Sequence, residues 1–508
     1  MIYVHWLILL IYGLAVVATM IRVLMDNRQP AKTMAWMLVL TFLPLLGIFL
    51  YFFFGQNTRK ERLISQQSLD QLTKRSMLEF VEQKDLVIPD NYQTLVQLFA
   101  SQNWALPFKD NHTDIFTNGY DLFGQLLRDI SQARYHIHLD TYIFEDDALG
   151  FLVSDALIAK AKEGVEVRVI YDDVGCWHVD GSFFERMRNA GIEVHGFMPV
   201  KFPAFTSKVN YRNHRKLCVI DGHTGYIGGM NIATRYVRGR HNDGWRDTHL
   251  RIRGNAVYGI QKAFLVDWYF VDRTLISSRK YYPADIEVKD EYDALADAGM
   301  DENVVAEVEE SIDWNMGADW DTGADSNIIQ IVTGSPVSAW PDIMQGYVSI
   351  LLGAKDYVFM ETPYFLPTEP VLFAMQQAAL AGVDVRLMVP MRTDAKLVEW
   401  ASRSFVTEAI RAGVKVHLYQ PCFNHSKLLV SDDALCTCGS TNVDFRSFEN
   451  NFEANAFCYD RGLALRMKQV FLDDVADSIL LEDVTRLEKR PFLHRLWESL
   501  VRMMAPLL

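Results

Sequence analysis

The chain has few cysteines, and their spacing suits no metal. Six occur in 508 residues (Cys176, Cys218, Cys422, Cys436, Cys438 and Cys458), and no two form a C-x-x-C pair. Cys436-Thr-Cys438 has no second cluster to complete a zinc site, so the set reads as free, buried thiols of a reducing compartment. A basic excess is missing as well. Lys and Arg number 50 against 64 Asp and Glu, a net charge of −14. Residues 285–325 carry 15 of the acidic residues and one basic residue, Lys289, so that segment alone accounts for −14. The remainder balances 49 against 49, which argues against nucleic acid as a partner.

Apolar residues are not scarce. They make up 50% of the chain, with 12% aromatic, and they concentrate at the N-terminus. Residues 1–21 contain no formally charged side chain other than a protonatable His5, and residues 33–55 contain none. Each run is long enough to cross a ~30 Å hydrocarbon core, which takes about 20 helical residues. Pro44 and Gly47 in the second run are tolerated in a spanning helix. No basic stretch precedes the first run and a second follows directly, so a cleaved signal peptide is disfavoured. The expectation is a transmembrane hairpin over 1–57. Arg59, Lys60 and Arg62 follow it, and Arg22, Arg28 and Lys32 lie near its turn, a modest bias toward a cytoplasmic catalytic part.

A helical, polar connector is expected over 58–111. From there short apolar strands alternate with helical stretches: strand 133–144, helix 147–164, strand 165–173, then helix and strand across 183–197. This rhythm predicts an α/β unit with a mostly parallel sheet covered on both faces. The second half replays it. GVDVRLMVP (382–390) answers GVEVRVIYD (164–172), and AGVKVHLYQ (412–420) answers AGIEVHGFM (190–198). The expected division is a first repeat over 112–280, an acidic linker over 281–325, a second repeat over 326–480 and an amphipathic helix over 481–508.

The repeat carries chemistry at one place. NHRKLCVIDG (213–222) returns as NHSKLLVSDD (424–433). Both continue into H-x-K-x4-D-x6-G-x-x-N, giving His214, Lys216, Asp221, Gly228 and Asn231, then His425, Lys427, Asp432, Gly439 and Asn442. One such five-point match should arise by chance in roughly one of several thousand chains of this length. On a strand, positions two apart share a face, so each histidine points the same way as its lysine. Asp221 and Asp432 lie seven positions beyond their histidines, an odd spacing that turns them away and suits fixing the local fold. Two histidines with two lysines suit phosphodiester chemistry. The lysines neutralise phosphoryl oxygens while one imidazole attacks phosphorus and the other protonates the leaving alcohol. The motifs contain no acidic metal-binding cluster, and no cofactor is expected.

With these residues in view, the chain resembles the phospholipase D superfamily, which carries H-x-K-x4-D twice per active site. It is most similar to the bacterial cardiolipin synthases through NYRNHRKLCVIDG, YIGGMNIATRY, GWRDTHLRIRG (244–254), the N-terminal apolar runs and the terminal PLL. The resemblance covers nearly all of the chain. It implies two phospholipase D-like α/β repeats forming one pseudo-twofold catalytic unit in a multi-pass protein of the bacterial cell membrane. It implies transfer of a phosphatidyl group from one phosphatidylglycerol to another, releasing glycerol, through a phosphohistidine and without metal. By analogy His214 is the nucleophile. The family has a downstream carboxylate holding each histidine, and the matching positions are Asp247 and Glu453. Ser440 stands where the first motif has Gly229, a substitution the superfamily tolerates.

Two further stretches suit a bilayer surface. Phe202, Phe205 and Tyr211 alternate with Lys201, Lys208 and Arg212 just before His214, and Leu493, Leu496, Trp497, Leu500, Val501 and Met504 recur at helical spacing. A hydrolytic phospholipase or another phosphatidyltransferase would use the same motifs. A nuclease is disfavoured by the neutral halves, and a catalytically dead scaffold by the intact motifs. No residue pattern sets an oligomeric state or decides whether phosphatidylethanolamine can replace one phosphatidylglycerol.

Overall fold

The computed structural model describes residues 2–25, 30–55, 88, 92–103, 105–200, 211–240, 244–274, 276, 281, 327–481 and 491–506. The acidic linker after Tyr281, most of the connector and Phe202 and Phe205 lie outside the described residues.

Helix α1 (Ile2–Met25) is 24 residues long, or ~36 Å at 1.5 Å per residue, and its apolar side chains are almost entirely exposed. It is the one helix among the described residues long and apolar enough to cross a membrane. The second apolar run departs from the expected single span. It forms α2 (Pro30–Phe42) and α3 (Pro44–Phe54), 13 and 11 residues, broken at Leu43. Pro44 has no N–H to continue the ladder and excludes helical backbone at the residue before it, and Leu43 takes φ −131°. The two helices fold back on each other. A Cβ on Gly47 would lie 3.1 Å from the Leu40 Cα, and the Trp36 and Tyr51 rings stand 5.4 Å apart.

The two repeats form two sheets with the same strand order. The first runs, edge to edge, Asn111–Phe116, His249–Gly254, Thr224–Gly228, Lys216–Ile220, His136–Thr141, Glu166–Asp172 and Glu193–Phe197. The second contains Ile329–Gly334, Glu453–Cys458, Leu435–Gly439, Leu428–Ser431, Tyr357–Glu361, Asp384–Pro390 and Lys415–Tyr419 in that order, with a short strand added at each edge. The sheets are mixed rather than mostly parallel. Within each of these two sheets only the three strands joined through helices run parallel. The motif strand returns as a hairpin through a short turn, which forces antiparallel pairing.

Local chemistry sets the helix ends. Asn118, Asp147 and Asp460 each cap a helix by accepting a backbone N–H. Gly191 and Gly413, the glycines of the repeated AGIEV and AGVKV, take φ near +92° and +100° and turn each helix into its next strand. One apolar cluster spans both halves, joining Leu217, Phe264 and Trp268 to Leu428, Met388 and Phe471. Two outer clusters cover the far faces, one in each half, so each sheet is buried on both sides.

The helix Phe492–Arg502 packs on Lys396–Arg411. Arg502 lies 4.2 Å over the Phe405 ring and 2.7 Å from Glu408, and Val501 and Ala505 are buried. Leu493, Leu496, Leu500 and Met503 face outward.

Candidate active site

Each motif histidine sits just before its strand, in a short backbone bridge to the opposite half. The His214 N–H donates to the Phe452 carbonyl at 2.9 Å, and the His425 N–H to the Arg246 carbonyl at 2.7 Å. Those carbonyls immediately precede Glu453 and Asp247. The carboxylates therefore pair crosswise. His214 Nδ1 lies 3.0 Å from Glu453 Oε1, and His425 Nδ1 lies 2.7 Å from Asp247 Oδ2. Pairing each histidine with the carboxylate downstream in its own half, as chain order suggests, is not what occurs.

Burial pushes both carboxylates up, but opposing charges win. Lys427 and His425 hold Asp247 below the ordinary range, and His214 with Lys216 does the same for Glu453. Both are ionised at neutral pH. Burial pushes His214 down, and burial with the Lys427 charge pushes His425 down to about 4. A neutral imidazole beside a carboxylate puts its proton on the Nδ1 that faces it, leaving Nε2 with a free lone pair. Lys427 Nζ also lies 2.8 Å from His425 Nδ1, which cannot accept while donating to Asp247. The lysine instead donates to the His425 carbonyl, as Lys216 does to that of His214. Burial pushes Lys216 down to about 7 against the pull of Glu453, and Lys427 is lowered by the same cause.

Both histidines line one cavity of about 310 Å³, with Asn231, Asn442, Tyr142, Tyr364, Arg235 and Arg446. Asn231 is held by the Ile143 N–H, donated to its Oδ1 at 3.1 Å. Asp221 and Asp432 do not line it. Asp221 accepts the N–H groups of Arg134, Tyr135 and His136 at 2.8–2.9 Å, and Asp432 those of Lys355, Asp356 and Tyr357 at 2.8–3.0 Å. With φ near +50°, each closes the turn after its motif strand and fastens it to the neighbouring strand. They fix the local fold rather than reach the cavity, the role that their odd spacing suits. Tyr211 and Arg212 are also placed differently from expectation. Tyr211 joins the shared core, and Arg212 is buried with Asp172, so neither offers a bilayer contact.

The supporting layer was not legible in the motifs. Asn213 donates to Asp140 at 2.9 Å and Asn424 to Glu361 at 3.1 Å. Arg215 ion-pairs with Asp267 and donates to the Glu453 and Gly334 carbonyls, tying the halves together. Arg246 pairs with Asp474 at 2.6 Å. The cavity arginines did leave a signal, since Arg235 and Arg446 each stand four residues after the motif asparagine.

Residues 126–268 and 347–475 match the family described as cardiolipin synthase, PLD-like domain. The chain belongs to the cardiolipin synthase family. Residues 8–56 also match a phospholipase D-nuclease N-terminal family. Relatives of the cardiolipin synthase family include the major cardiolipin synthase of Bacillus subtilis strain 168, 36% identical over 99% of each chain. Cardiolipin synthase 2 of Bacillus anthracis is 36% identical over 96% of this chain and 88% of its own. A crystal structure of phosphatidylserine synthase from Haemophilus influenzae superposes with a TM-score of 0.56 at 14% identity, covering 82% of this chain and 98% of that one, and so shares the fold. Membership makes this chain an enzyme, a phosphatidyltransferase of the phospholipase D superfamily.

Proposed function

We propose that the two repeats form one pseudo-twofold catalytic unit that makes cardiolipin from two molecules of phosphatidylglycerol, releasing glycerol. The observation that carries this reading is the crosswise pair of carboxylate-oriented histidines facing a single cavity. His214 attacks the donor phosphorus through Nε2, forming a phosphatidyl–histidine, while His425, which takes up a proton at Nε2 as the anionic phosphodiester binds beside it, gives that proton to the departing glycerol oxygen. The acceptor's free hydroxyl then returns its proton to His425 as it displaces His214 from phosphorus. Lys216, Lys427, Asn231 and Asn442 hold the phosphoryl oxygens, Glu453 and Asp247 orient the imidazoles, and Asp221 and Asp432 keep the motif strands in place. No metal or other cofactor takes part.

The enzyme works at the bacterial cell membrane, held by α1, with the catalytic part on the cytoplasmic side. The outward ridge of Leu493, Leu496, Leu500 and Met503 rests on the bilayer surface beside the helix Lys396–Arg411, whose Val398 lines the cavity. Purified protein given phosphatidylglycerol alone should yield cardiolipin and glycerol in equal amounts, with or without a strong chelator. Phosphatidic acid with no cardiolipin would instead identify a hydrolase, and activity restored only by one metal would overturn the mechanism.

A further inference from the structure

Transfer between two phosphodiester lipids brings a second phosphate into the cavity, one that does not react. We propose that Arg446 binds the phosphodiester of the acceptor lipid. Four arginines line the cavity, and three already hold carboxylates: Arg212 with Asp172, Arg235 with Glu145 and Arg240 with Asp394. Arg446 has no carboxylate partner among the described residues, and its Nε is buried without a hydrogen bond. A guanidinium left open in a cavity is a ready fork for a phosphate. Arg446 lines the same cavity as both histidines, so a phosphate it holds lies within reach of the reacting pair. Its counterpart Arg235 is neutralised by Glu145 and lies over Tyr236 on the His425 side. The two halves thus offer one occupied and one open cation.

This inference rests on the transfer reaction proposed above. Arg446→Gln and Arg446→Lys should be compared with the natural enzyme on phosphatidylglycerol in mixed micelles, with cardiolipin and phosphatidic acid both measured. Arg446→Gln should lower the ratio of transfer to hydrolysis about 10- to 100-fold, the effect of losing a charge-assisted hydrogen bond. Arg446→Lys should recover part of it, and 1-butanol, an acceptor without phosphate, should lose the least. Cardiolipin and phosphatidic acid falling in equal proportion, or an unmoved ratio, would overturn the role of Arg446. A natural enzyme that makes no cardiolipin would overturn the transfer reading instead.

The fold-back of α2 on α3 carries a second, independent inference. At 13 and 11 residues these helices reach only ~20 and ~16 Å, short of a ~30 Å hydrocarbon core. Their junction is apolar and exposed at Phe42, Leu43, Leu45 and Leu46, and Gly47 admits the close approach. The geometry points to a re-entrant hairpin that enters and leaves the bilayer on one side, beside a single spanning α1. Charge agrees. A spanning hairpin would set Arg22, Arg28 and Lys32 opposite Arg59, Lys60 and Arg62, an even split. The re-entrant arrangement gathers all six on one face and leaves none at the N-terminus, as the positive-inside bias favours.

Single cysteines at Tyr3, Asn27 and Leu43 in active full-length protein, probed with an impermeant maleimide, decide between the two. In intact cells Tyr3→Cys should label. Asn27→Cys should label only after permeabilisation, and Leu43→Cys in neither state without detergent. Asn27→Cys labelled in intact cells with Tyr3→Cys protected would overturn the re-entrant arrangement.

Discussion

The two halves reach the same geometry with different residues. Around His425, Asp247 fits only because Gly229 lacks a side chain, since a Cβ there would sit 2.0 Å from Asp247 Oδ1. Around His214 the matching position is Ser440, and the longer Glu453 accepts its hydroxyl proton. The buried arginine of the first half comes from within the motif, Arg215, and pairs with Asp267. In the second half Ser426 takes the motif position, and Asp474 is paired instead by Arg246, which the first half supplies from just before Asp247. Two carboxylates on corresponding helices thus receive a guanidinium from different points of the chain. The site demands a cation and an oriented imidazole at fixed positions and is indifferent to which segment supplies them.

Removing either histidine tests whether the halves are equally necessary. His214→Ala and His425→Ala should each lower cardiolipin formation by about 10⁴-fold or more, as loss of one member of a catalytic unit does, with circular dichroism unchanged. A phosphatidyl adduct trapped on His425 alone would reverse their roles.

The arginine exchange predicts the next largest effect. Arg215→Met strands the buried Asp267 carboxylate and should lower unfolding stability by about 3–5 kcal/mol, and adding Asp267→Leu should restore much of it. Arg246→Met should act likewise through Asp474. Denaturant titration of both would show whether the two pairs are equivalent.

Gly229→Ser and Ser440→Gly exchange the halves' solutions. The first drives a side chain into Asp247 and should lower activity about 100-fold, in keeping with ~2.7 kcal/mol of lost orientation. The second removes one hydrogen bond to Glu453 and should lower activity by about tenfold or less. Equal effects would mean the pocket around Asp247 yields more readily than its packing indicates.

The smallest effect is a shifted pH profile. Lys216, held near 7 by burial, is cationic below that value, so phosphate binding should weaken as pH rises through it. Lys216→Arg keeps its charge and should move the alkaline limb of kcat/KM upward. An unmoved limb would assign it to another group.

Much of this was legible because the repeat is local. A strand, a turn and a glycine are written in consecutive residues, and spacing parity alone turned Asp221 and Asp432 away from the site. The mixed pairing of the sheets was not legible, because strand direction depends on where a chain returns. The crosswise pairing of His214 with Glu453 was hidden for the same reason, since it joins residues 239 positions apart. The break at Pro44 was visible as a residue, but its sharpness came from Gly47 admitting Leu40.

The crosswise carboxylates also bear on descent. A chain of half this length, with one histidine and one carboxylate, could orient its imidazole only by borrowing the carboxylate of another copy. An ancestor with this geometry would have worked as a pair of identical chains. Fusion into one polypeptide would release the copies from identity, so that glycine could stand opposite serine and Arg215 opposite Ser426, and one copy could leave an arginine open.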